Sequence, residues 1–200
     1  MAVLESGSLG LEIRFIELDS NNWIQYEILF LYNGEPMVQD HQLKRYNEHW
    51  ARRSPGAFKA NQYGHDGFIP TIRAALDTDE VRSFTPIDPD VTFVVYPRRV
   101  FPYLTHPITP IEEEDPVTQE EEDRALIREL AGGRLPDDPF TIICRIDLYN
   151  YGRQGVYQGQ GPALIVLAHR HEVRAFLEAL EREYAAFCEQ WGIEDPPNRL

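Results

Sequence analysis

Apolar and polar residues alternate from 11 to 18, and the alternation slips by one place at Ile16, as it does in a strand that carries a bulge. Turn chemistry follows at Asp19-Ser20-Asn21-Asn22. A second alternating stretch, 24–32, sets Ile24, Tyr26, Ile28, Phe30 and Tyr32 on one face and Gln25, Glu27, Leu29 and Leu31 on the other. Together the two stretches predict a β-hairpin. Asn33-Gly34 predicts another tight turn, leading into a short edge strand over 36–39 where Pro36 is tolerated.

Periodicity is weak from 41 to 65, and the reading there is a helix over 43–52 followed by a loop. Asp66 is placed to cap a short helix over 67–76, with Ile69, Ile72 and Leu76 on one stripe and Pro70 in the first turn. The β-branched and aromatic run 91–96 predicts an interior strand. Seven of the 15 prolines fall between Pro86 and Pro116, so 97–116 reads as an extended surface loop. A helix capped by Thr118 is expected to reach Ala131 and to stop at Gly132-Gly133.

Alternation returns over 140–149, where Ile142, Cys144, Ile146 and Leu148 oppose Ile143, Arg145, Asp147 and Tyr149. Four glycines between 150 and 161 suggest a long hairpin connection to a last strand over 163–168. From Val173 the apolar residues Phe176, Leu177, Leu180, Tyr184, Phe187 and Trp191 recur three and four places apart, which predicts a long amphipathic helix. The expected fold is α+β: an antiparallel sheet of about five or six strands packed against that C-terminal helix, with a shorter helix beside it. One domain spanning residues 1–200 is expected, with a proline-rich, acidic insertion at about 97–123.

Composition narrows the function classes. A chain of this length with 42% apolar residues can bury roughly 70% of its unfolded surface, so neither disulfide nor metal is needed to hold it together. With 33 acidic against 19 basic residues the formal charge is −14. That balance lacks the cationic footprint that displaces counterions from phosphates, so direct nucleic-acid binding is not expected. No apolar stretch approaches the length of a membrane span, and the N-terminal residues lack a charged leader with an apolar core, which together predict a cytoplasmic location without membrane attachment. Cys144 and Cys188 have neither metal nor redox spacing and read as buried free thiols.

Charge is concentrated in one place. Between residues 112 and 123 lie eight acidic and no basic residues: Glu112, Glu113, Glu114, Asp115, Glu120, Glu121, Glu122 and Asp123. Such a block is either a solvated face or a negative field that steers a basic partner and sets specificity, and the second reading makes these residues the candidate partner site. Tyr151, Arg153 and Tyr157 sit on the glycine-rich connection and are residue types that anchor protein interfaces. That connection does not cradle phosphate, because it precedes a strand and no Gly-Lys-Ser/Thr follows.

Catalytic signals are sparse. None of the five serines lies in a Gly-x-Ser-x-Gly elbow, and no His-Glu-x-x-His occurs. His169 and His171 straddle the last strand and helix two apart, a spacing that can aim both imidazoles one way, but His41, His49, His65 and Asp66 are too distant in sequence to complete a ligand set. No catalytic residue, metal ligand or cofactor is therefore assigned. The alternatives are a metal-dependent enzyme or ligand-binding domain built on the His169–His171 pair, and a structural subunit of a larger assembly.

The N-terminal hairpin with Asn21-Asn22-Trp23 at its turn, the acidic character, the late strands and a terminal helix carrying Val173, Phe176, Leu177 and Leu180 resemble small α+β immunity proteins of bacterial polymorphic-toxin systems. The resemblance covers the two ends of the chain and rests on pattern. It implies a non-enzymatic cytoplasmic protein that neutralises a toxin or acts in a related defence system, with a basic protein such as a toxin or nuclease as its partner.

Overall fold

The computed structural model describes residues 2–19, 22–43, 54–62, 67–86, 91–98, 138–147 and 161–193. The chain is α+β. Two antiparallel sheets carry the described strands, where the sequence pattern anticipates one. The first sheet holds β1 (Ala2–Ser6), β2 (Leu9–Leu18), β3 (Ile24–Tyr32), β4 (Glu35–Pro36) and β5 (Phe58–Gln62). In the second, β6 (Arg82–Phe84), β7 (Val91–Pro97), β8 (Pro139–Ile146) and β9 (Ala163–His169) pair in sequence order. Two described α-helices complete the fold, α1 (Phe68–Thr78) and α2 (Arg170–Trp191).

The predicted bulge is present. Phe15 pairs with Tyr26 and Glu17 with Gln25, so Ile16 is the extra residue of β2. Asp19 closes the hairpin turn by accepting the Trp23 N–H on Oδ1 at 2.9 Å. Asn33 and Gly34 both have positive φ (51° and 81°), as the two-residue turn between β3 and β4 requires. The edge strand expected over 36–39 shifts to Glu35–Pro36. It is short because β5 takes the rest of that edge, pairing with β3 from Ile24 to Ile28.

α1 begins at Phe68 behind Gly67, which offers no side chain to cap it; the predicted cap, Asp66, lies outside the described residues. Its stripe of Ile69, Ile72 and Leu76 is buried as the spacing predicts. The helix 43–52 and the helix from Thr118 to Ala131 also fall outside the described residues, apart from buried Leu43. β8 ends at Ile146, three residues before the alternation does. There the Ile146 N–H donates to the Pro162 carbonyl at 2.9 Å, and Gly161 approaches so closely that a Cβ would lie 1.6 Å from the Ile146 oxygen.

α2 is the element that joins the sheets. Val173, Phe176, Leu177, Leu180, Tyr184, Phe187 and Cys188 are buried against β1 and β2 of the first sheet, β8 and β9 of the second, and α1. It starts three residues before the apolar stripe and stops at Gly192 in the left-handed conformation (φ 64°). The sheets also touch directly where the Ser6 hydroxyl of β1 donates to the Leu167 carbonyl of β9. Aromatic rings fill the seam: Phe15 lies 5.2 Å from Tyr184 and 5.8 Å from Phe187. One buried cluster includes residues of both sheets and both helices.

Candidate functional site

β3 is buried on both faces, although its sequence reads as one core face and one mixed face. The second face carries charge. Register places Arg14 opposite Glu27 and Glu27 opposite Lys59, with Glu12 opposite Leu29 and Gln25 opposite Asn61. Glu27 is 0%, Glu12 2% and Lys59 3% exposed, so these ions have left water and depend on the protein for compensation. Arg14 supplies part of it, its Nε lying 2.5 Å from Glu12 Oε1 and one terminal nitrogen donating to Ser54 Oγ at 2.5 Å. The Ser54 N–H in turn donates to Glu27 Oε1 at 3.1 Å, and Gln25 Nε2 donates to Asp19 Oδ2 at 3.3 Å.

Two carboxylates and two cations make this array neutral, and Ser54 links its members on β2 and β3 by accepting from Arg14 and donating to Glu27. A one-residue slip of β2 or β5 against β3 would bury these ions against apolar side chains, so the array locks register. Sequence reasoning missed it because Lys59 and Asn61 lie in a stretch read as loop. The available signal was the alternation of Phe58 and Ala60 with Lys59 and Asn61, too short to separate a strand from a loop.

The histidine pair is where the sequence places it, His169 ending β9 and His171 in the first turn of α2, with ring centroids 5.2 Å apart. His169 serves the helix start: its backbone N–H donates to Glu172 Oε2 at 2.7 Å. Among the described residues no group of three or more His, Cys, Asp and Glu is placed to hold a metal ion. His41 lies exposed in a 3₁₀ turn, while His49, His65 and Asp66 lie outside the described residues. Both cysteines are free and buried, and burial pushes the thiols of Cys144 and Cys188 up, away from the reactive thiolate.

The residues predicted to bind a partner all lie outside the described residues: Glu112, Glu113, Glu114, Asp115, Glu120, Glu121, Glu122 and Asp123 in one segment, Tyr151, Arg153 and Tyr157 in the other. Their anchor points are described. The acidic segment follows Arg98 at the end of β7 and returns at Asp138 before β8, whereas the tyrosine segment follows Asp147 after β8 and returns at Gly161 before β9. The two segments are therefore rooted at opposite ends of β8, roughly 25 Å apart at the rise of an extended strand.

A charge cluster marks the acidic segment's root. Arg170 at the start of α2 donates from Nε to Asp138 Oδ2 and from a terminal nitrogen to Asp79 Oδ1, and its other terminal nitrogen donates to the Leu76 carbonyl at 3.0 Å. Its guanidinium lies 4.8 Å from the centre of the Phe140 ring, and its backbone N–H donates to the Asp138 carbonyl at 3.2 Å. Asp79, the left-handed C-cap of α1, gives its second oxygen to Arg98 at 2.5 Å.

The hydrogen bond from Arg170, and the nearby charges of Arg170 and Arg98, hold the Asp79 carboxyl below its usual range against an opposing effect of desolvation. A carboxyl with a depressed folded pKa contributes stability above its unfolded value of about 3.9, and that contribution is lost as pH falls through the folded pKa. Melting temperatures of the wild type and Asp79→Asn should therefore differ at neutral pH and converge in acid. A constant gap down to the acid limit would contradict this origin of the shift.

No family model, curated protein or solved structure matches the chain. Among the described residues no helix is long and apolar enough to cross a membrane.

Proposed function

We propose that this chain is a non-enzymatic binding protein that docks a basic macromolecule, and that it acts in the cytoplasm as a toxin-neutralising immunity or defence protein. The observation that carries this reading is the run of eight carboxylates without a single basic residue between 112 and 123, which accounts for more than half of the formal charge of −14. Clustered like charge speeds encounter with an oppositely charged surface and disfavours wrong partners. The resemblance to immunity proteins supports a toxin, nucleases included, as the partner's class. Free thiols at Cys144 and Cys188 support a reducing compartment.

The separate roots of the acidic and tyrosine segments support a division of labour. The carboxylates provide long-range attraction, and Tyr151, Arg153 and Tyr157, on a segment rooted about a strand's length away, provide a second contact. Capture from native lysate at low ionic strength should recover a basic macromolecule in stoichiometric amount that elutes as salt rises. Recovery of no stoichiometric partner under those conditions would contradict the reading.

A further inference from the structure

We propose that Arg98, Asp79, Arg170 and Asp138 form one electrostatic latch that holds together the two anchor points of the 99–137 segment, and that opens with ionic strength while the sheets stay folded. Arg98 and Asp138 flank that segment on adjacent antiparallel strands, where Pro97 stands opposite Phe140. Arg98 and Asp138 are joined through Asp79, which bridges Arg98 and Arg170, and through Arg170, which bridges Asp79 and Asp138. Charges alternate along the chain of contacts, so removing either inner member takes one ion pair from each of two partners.

Placement makes the latch separable from the fold. Its members sit at element ends: the C-cap of α1, the residue after β7, the residue before β8 and the first residue of α2. Such positions open locally at lower cost than core strands do. Side-chain exposure runs from 22% at Arg170 to 66% at Arg98, which leaves the ion pairs within reach of dissolved salt. The buried array of Glu12, Glu27 and Lys59 has no such access.

Hydrogen exchange on the full chain tests the latch. Raising sodium chloride from about 0.01 M to about 1 M shortens the screening length from about 30 Å to about 3 Å. In the wild type this should speed exchange about tenfold at the amides of Asp79 and Arg170, which bond to the Ala75 and Asp138 carbonyls, and leave β2 and β3 unchanged. Arg170→Met should make both amides fast at either salt concentration. Arg98→Met, at the exposed end, should speed the Arg170 amide although Arg98 does not touch it, and this variant carries the test if Arg170→Met does not fold. Salt-insensitive exchange in the wild type would overturn the proposal, as would an Arg170 amide unaffected by Arg98→Met or an equal rise across β2 and β3.

Discussion

Replacing Phe68 by alanine lowers the free energy of unfolding by about 3–5 kcal/mol, read as a shifted midpoint at unchanged slope in urea titration. Phe68 is the first residue of α1 and is 1% exposed. Its ring meets Tyr26 of the first sheet at 5.1 Å and Phe84 and Phe93 of the second at 5.3 and 5.0 Å, each edge to face. Removing it opens a cavity where both sheets and a helix converge, and rigid strands on two sides leave little room for collapse. Phe68→Leu, which keeps most of the volume, should cost less than about 1.5 kcal/mol. An alanine variant as stable as the leucine variant would mean that the sheets do not meet on this ring.

Local patterns were legible where one element sufficed to produce them. The three-and-four spacing from Val173 defines the buried stripe of α2, the slip at Ile16 is the bulge, and Asn33-Gly34 is the turn. Strand β8 follows from alternation, β7 from a β-branched and aromatic run, and β9 from an apolar run after the glycine-rich connection. Short elements were not legible. β5 offers only Phe58 and Ala60 to the core and β6 only Phe84, so their existence depends on partners distant in sequence. The division into two sheets also arises from pairing, since β3 recruits β5 from beyond β4.

Charge was legible as composition but not as geometry. Glu27 reads as one residue of the mixed second face of a hairpin, and pairing with Lys59 on β5 places it where it is buried. Arg170 looks like one more charge at a helix start, yet its partners lie 91 and 32 residues away at Asp79 and Asp138. The acidic segment and the tyrosine segment read as equivalent candidate contacts in the sequence. Antiparallel register of β7, β8 and β9 roots them at opposite ends of one strand.

The second large effect belongs to the carboxylates themselves. An exposed ion pair contributes about 0.5 kcal/mol, so on the proposed reading eight of them are expected to add about 4 kcal/mol to association, close to three decades in Kd. On the proposed reading, screening by salt erodes that contribution, because charges that steer a partner act through solvent. Independent roots imply that loss of the acidic charges and loss of Tyr151, Arg153 and Tyr157 add in free energy.

The decisive measurement is the affinity for the captured partner, across ionic strength, of a variant in which Glu112, Glu113, Glu114, Asp115, Glu120, Glu121, Glu122 and Asp123 become their amides, with its melting temperature as control. Binding should fall about 1000-fold at low salt and lose most of its salt dependence. Undiminished association with the same salt dependence as the wild type would contradict recognition by the acidic segment.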